Sequence, residues 1–165
     1  MQKLKHFRRK FLFKSLISRK HCLVPSTHFF ESRHKASSKV HYAISMQDNS
    51  IFSLAGLFDS WVDNLSGNVF DTFTIVTTEA NKLMSFIHNS KKRMPVILDK
   101  DSEEAWLSSQ ISIKDLSLFV NPFPGSMMKT HTVSDLLYSK KKVLNPSDVL
   151  KPFDYGDTDI FINYP

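Results

Sequence analysis

The chain has 165 residues, 41% of them hydrophobic and 14 of them Phe, which is enough for one aromatic-rich core and one domain. No apolar run approaches the ~18 residues of a bilayer-crossing helix, because the early FLF is cut by Lys14. A single cysteine excludes an internal disulfide and fits a reducing, cytoplasmic setting. The net charge of +6 is concentrated at the start, where Lys3, Lys5, Arg8, Arg9, Lys10, Lys14, Arg19 and Lys20 all precede the first acid, Glu31. Such a segment suits a polyanion, whose displaced counterions make the affinity salt-sensitive.

In chain order, Phe7, Phe11, Leu16 and Ile17 recur loosely at helical spacing, so a short basic amphipathic helix is expected over 7–17. Strands then dominate: 21–25, 27–33, 39–46, 51–61 and 69–78 are rich in β-branched and aromatic residues and are separated by SSK, QDNS and NLSGN, which supply turn chemistry. This pattern predicts a meander of antiparallel hairpins. Ala80, Leu83, Met84 and Ile87 then switch to helical spacing, with Thr77 or Thr78 as the expected N-cap. His88 falls at the end of that helix, where the exposed carbonyls favour a cation and suit an imidazole to proton transfer. Asp101 or Ser102 is expected to cap a helix through Trp106 and Leu107, and another short helix is expected near 113–119. NPFPG at 121–125 stops any helix and feeds a strand through Met127 to Val133; Asn145-Pro146 and Lys151-Pro152 mark turns, and the residues beyond Phe153 read as irregular.

Several chemistries are set aside by spacing. Gly56, Gly67, Gly125 and Gly156 are too far apart for a phosphate-cradling loop, no GxSxG elbow exists, and one cysteine cannot build a zinc pattern. His21, His28, His34 and His41 raise a metal question, but Pro25 keeps one helix from gathering them. Asp154, Asp157 and Asp159 lack the glycine and terminal Glu of a calcium loop. No metal and no cofactor are expected. Cys22 lies in the short apolar run HCLVP, where a free cysteine acts as a small hydrophobe. Glu31 follows Phe29 and Phe30, and a carboxylate beside aromatic rings suits acid-base work.

CLVPSTHFFES at 22–32, FSLAGLFDSW at 52–61, TFTIVTTEANKLMSFIHNSKKRMPVIL at 72–98 and HTVS at 131–134 together resemble, in order, the SOS-response-associated peptidase family, the abasic-site processing proteins. The resemblance divides the chain into a basic, non-matching opening at 1–10, a partial family domain at 11–153 and an irregular tail at 154–165. It implies an α+β fold of twisted antiparallel strands with a few short helices, lacking the family's N-terminal strands.

In that family a terminal cysteine, freed by removal of the initiator Met, condenses with the aldehyde of an abasic site in single-stranded DNA to give a thiazolidine crosslink, assisted by a glutamate and a histidine. Mapped by motif, Glu31 and His88 are the expected proton-transfer pair and Arg93 an expected phosphate contact, helped by Lys92 beside it and by Arg19 of the basic opening segment through their charge. The chain departs from the pattern at three places: Met1-Gln2-Lys3-Leu4 stands where the family begins Met-Cys-Gly-Arg, His28 where it has Gly, and Ser32 where it has Trp. The expectation is therefore a truncated reading frame. It encodes a monomer with no membrane association that acts on abasic single-stranded DNA or only binds it without crosslinking.

Overall fold

The computed structural model describes residues 20–108, 111, 115–138 and 145–156. The basic helix expected over 7–17, Arg19, and Asp157 and Asp159 lie outside these. The described residues divide into two compact units: one takes the chain up to Ser26, Phe52–Thr78 and Pro95–Phe123, the other Thr27–Ile51, Glu79–Met94 and the chain from Pro124 onward.

In the first unit, β1 (His21–Ser26) pairs antiparallel with β4 (Phe52–Val62), which pairs in turn with β5 (Val69–Ile75) and at its start with β8 (Ile97–Leu98). The hairpin between β4 and β5 turns at Gly67, whose φ of +72° needs a residue without Cβ crowding. The β1–β4 register sets Cys22 opposite Gly56, where an added Cβ would lie 2.6 Å from the Cys22 sulfur. Ala55, Leu57, Val76, Val96, Leu98, Trp106, Ile111 and Leu116 form one buried cluster. Trp106 comes from α2 (Lys100–Leu107) and is fully buried. It lies between the rings of His21 and Phe119, and its indole N–H donates to the Cys22 carbonyl at 3.1 Å.

The cap of α2 is Asp99, which accepts from Ser102 N–H at 2.8 Å, rather than the expected Asp101 or Ser102. Asp101 and Glu103 occupy the first turn, where the helix dipole favours them. α3 (Leu116–Phe119) is the short helix expected near this point.

In the second unit, β2 (Phe29–His34), β3 (Lys39–Met46) and β9 (Met128–Val133) form an antiparallel sheet in the order β2-β3-β9. β3 is buried along nearly its whole length, with Tyr42, Ala43 and Ile44 at 1% exposure or less. The outer edge of β9 is lined by the chain around Phe153: Phe153 N–H donates to the Thr132 carbonyl at 2.9 Å, and Tyr155 OH to the Val133 carbonyl at 2.8 Å. The beginning of the expected irregular tail is thus anchored, and it covers a strand edge that would otherwise be free.

β6 (Thr77–Glu79) and β7 (Arg93–Pro95) form a short ladder where the chain leaves the first unit and re-enters it. Between them runs α1 (Lys82–Ile87), burying Leu83, Met84 and Ile87. Its cap is Asn81, whose side chain accepts from Met84 N–H at 2.8 Å. Thr77 and Thr78, expected in that role, belong to β6 instead, and Thr78 donates its hydroxyl to the Val120 carbonyl at 2.6 Å.

Candidate active site

Glu31 and His88 meet within the second unit. Glu31 lies in the middle of β2, and His88 is the C-cap of α1, its N–H held by the Met84 carbonyl at 2.7 Å. His88 Nδ1 stands 3.5 Å from Glu31 Oε2, and both side chains are partly exposed, at 20% and 29%. A second acceptor, the Arg93 carbonyl, lies 3.0 Å from the same nitrogen. A carbonyl oxygen only accepts, so the neutral ring carries its proton on Nδ1 and leaves the Nε2 lone pair available to exchange protons. Glu31 Oε1 is fixed separately, accepting from Ser32 N–H at 2.8 Å.

The geometry comes from three local devices. The turn after α1 is closed by Lys92 N–H donating to the His88 carbonyl at 2.9 Å and by Ala80 N–H donating to the Lys92 carbonyl at 3.0 Å. Lys92 takes φ of +48° to make this turn, an unusual conformation for a residue with a Cβ, and the turn sets the Arg93 carbonyl against His88. Asn89 ties the same turn to the end of β2 through its side-chain amide and the His34 backbone. Arg33, two residues after Glu31 and so on the same face of β2, lays its guanidinium 3.7 Å from the centroid of the Phe86 ring and donates to the Phe86 carbonyl. On the same face Tyr42, the cross-strand neighbour of Glu31, is 1% exposed, and burial pushes its hydroxyl above the ordinary tyrosine range.

The side chains of Lys91, Lys92 and Arg93 are exposed on the turn beside His88, as a phosphate contact requires. Arg93 therefore has two parts in the site: its carbonyl orients the imidazole, and its side chain extends the basic turn. Asn89 and Arg33 were not singled out from the sequence. The one local signal for Asn89 was an amide directly after the helix-ending histidine.

The cysteine and histidines that the sequence reading set aside lie elsewhere. Cys22 is half-buried in the β1–β4 pair, and burial pushes its thiol up, which makes it a poor nucleophile. His21 packs on Trp106, His34 is held by Asn89, and His41 Nδ1 lies 2.8 Å from Ser32 Oγ with its ring against Tyr138. His28 lies near His131 and Lys129, which add to burial in lowering its proton affinity. Among the described residues no three His, Cys, Asp or Glu side chains are grouped as metal ligands, and no helix is long and apolar enough to cross a membrane.

Comparison with known proteins places the chain in a family. The abasic site processing protein YoqW of Bacillus subtilis is 35% identical over 130 residues, covering 78% of this chain and 56% of its own length. The abasic site processing protein HMCES of Gallus gallus is 27% identical over 161 residues, covering 86% of this chain and 46% of its own. The chain thus spans about half the length of these curated relatives. A crystal structure of a Bacteroides thetaiotaomicron protein superposes with a TM-score of 0.80 at 36% identity, covering 91% of this chain and 64% of that one. The family model described as SOS response associated peptidase (SRAP) matches residues 3–140. By these matches, and with the strand-rich α+β fold they share, the chain belongs to the SOS response associated peptidase family.

Proposed function

We propose that this chain takes part in processing abasic sites in single-stranded DNA, with Glu31 and His88 as its proton-transfer pair. The observation that carries the reading is the convergence of these two side chains to 3.5 Å beside an exposed basic turn, in a chain whose relatives are named for abasic-site processing. An abasic sugar presents an aldehyde when its ring opens, and ring opening, addition of a nucleophile and loss of water each need a proton moved at an oxygen. His88 Nε2 supplies and accepts that proton, while Nδ1 stays anchored to the Arg93 carbonyl. The Glu31 carboxylate stabilises the imidazolium formed on the way. The exposed side chains of Arg93 and Lys92 are the phosphate contacts, and Arg19 of the basic opening segment, which lies outside the described residues, adds its charge to the attraction for DNA.

A second reading is favoured by Cys22. It is the chain's one thiol and lies over Gly56 within a strand pair, so this polypeptide would hold abasic DNA without bonding to it. A denaturing gel separates the two. Incubated with a single-stranded oligonucleotide containing one abasic site, a covalently engaged chain gives a shifted band that survives detergent. A chain that only binds gives a complex that salt and detergent dissolve. Failure to distinguish abasic from intact oligonucleotide at low salt would overturn both readings. The peptidase activity in the family's name, a cytoplasmic location and a monomeric state accompany the first reading as further parts of the proposal.

A further inference from the structure

The two units treat their strand edges differently. β9 has its outer edge lined by the chain around Phe153, whereas β5 ends its sheet with no strand beyond it among the described residues. Every residue of β5 is exposed, on both faces. The β4–β5 register aligns Phe58 with Phe73 and Val62 with Val69 on one face, with Ile75 beside them, and these side chains are 37–64% exposed. On the other face Trp61 and Phe70 stack at 5.8 Å, about half exposed each. Eight large apolar side chains on one hairpin, counting Leu65 at its turn, next to a backbone edge without a partner strand among the described residues, form the kind of surface that soluble proteins ordinarily cover.

Charge excludes nucleic acid as the cover. No Lys or Arg occurs between Lys39 and Lys82, and the hairpin itself carries Asp59, Asp63 and Asp71. A second copy fits poorly, because β5 paired antiparallel with itself about Thr72 would set Asp71 against Phe73 twice and bury two carboxylates on aromatic rings. A β-bearing polypeptide fits well: it would hydrogen-bond to the edge and lay alternate apolar side chains on the faces. The matched relatives have chain to spare for that place, since nearly half of the Bacillus subtilis protein and about a third of the Bacteroides thetaiotaomicron chain lie outside the shared region.

We propose that the free edge of β5 and the Phe58–Phe73–Ile75 face form a docking surface for a separate polypeptide of the kind those relatives carry outside the region they share with this chain. This inference concerns assembly and does not depend on the DNA reading. Its test is co-expression of the full chain with the part of the Bacillus subtilis relative outside the 130 matched residues. Light scattering after gel filtration should give a 1:1 complex, and amide exchange over β5 should slow at least about tenfold relative to the isolated chain. Phe73 is 63% exposed, so Phe73→Asp should leave the melting temperature of the isolated chain unchanged while abolishing the complex. The proposal is overturned if no complex forms, or if the complex survives Phe73→Asp with β5 amides still exchanging freely. It is equally overturned if those amides are already protected in the isolated monomer, or if the chain alone is a dimer that buries this face.

Discussion

Asn89 pairs with the His34 backbone twice: its side-chain oxygen accepts the His34 N–H at 3.0 Å and its NH2 donates to the His34 carbonyl at 2.8 Å. One amide thus imitates a strand neighbour at the end of β2 and fixes the residue next to His88. Replacing Asn89 by Ala removes both bonds at a solvent-exposed site, where each is worth about 0.5–1 kcal/mol net. We expect a modest fall in the urea midpoint and a larger, several-fold fall in yield on the abasic-DNA gel. Equal sensitivity of the two readouts would assign Asn89 a structural role only.

The hydrogen bond from His88 to the Arg93 carbonyl fixes which nitrogen of the neutral ring keeps its lone pair free of that contact, Nε2. Long-range proton–nitrogen NMR of the neutral protein should find the ring proton on Nδ1, and a proton on Nε2 would contradict the assignment. Glu31→Gln keeps the Ser32 N–H bond but removes the charge facing the imidazole. It should slow abasic-site processing roughly 10²-fold with intact DNA affinity, as should His88→Gln, the usual size of a lost acid-base group. Single-turnover rates beside filter binding would separate the two effects.

Gly56 has no room for a methyl group. A Cβ there would meet Cys22 Sγ at 2.6 Å, the Cys22 carbonyl at 3.3 Å and Val24 at 3.4 Å, and the sulfur sits on too short a stem to move aside. Gly56→Ala should cost about 1–3 kcal/mol in urea unfolding. In a Cys22→Ala background the same change should cost clearly less, because its closest contact is gone. Additive costs in the double-mutant cycle would place the strain elsewhere.

Burial, the largest cause, lowers the proton affinity of both His28 and His41. His131 and Lys129 add to the effect at His28; at His41, Lys39 adds to it and Asp135 opposes it. The folded state therefore takes up protons at lower pH than the unfolded chain, whose histidines titrate near about 6.5. Below that pH the unfolded state binds more protons, so stability falls as the solution is acidified and levels off as pH rises past it. Urea midpoints between pH 5 and 7 should trace this slope, and His28→Gln should make it shallower. A midpoint that rises on acidification would reverse the sign.

The strands were legible because a two-residue alternation of β-branched and aromatic residues needs no tertiary information, and β2, β3 and β4 fall within a residue or two of the expected runs. The caps were not. Thr77, Thr78 and Asn81 are all competent N-caps, and only the β6–β7 ladder, which requires Thr77 and Thr78 as strand, leaves the task to Asn81. Asp99 displaced Asp101 and Ser102 for a related reason: β8 ends at Leu98, so the first free residue is the cap. Glu31 and His88 are 57 positions apart, and nothing local in either segment joins them. Their pairing came from the resemblance, whereas the Arg93 carbonyl and the Asn89 clamp follow from the turn at Lys92, whose left-handed φ no composition rule assigns to a lysine. The run at 69–78 was legible as a strand, yet burial of its faces depends on what lies opposite, and there the sequence was silent.

Trp106 and Trp61 are the chain's two indoles, and both belong to the unit that lacks Glu31 and His88. Trp106 is sealed between an imidazole and a phenyl ring, and Trp61 stands in water beside Phe70. Intrinsic emission is therefore a two-colour gauge of the sheet β1-β4-β5, with one probe responding to melting and the other to occupancy of the hairpin. The half of the protein that would handle the sugar is spectroscopically dark at this wavelength. Tyr42, sequestered at its centre, is the natural place for a probe of its own.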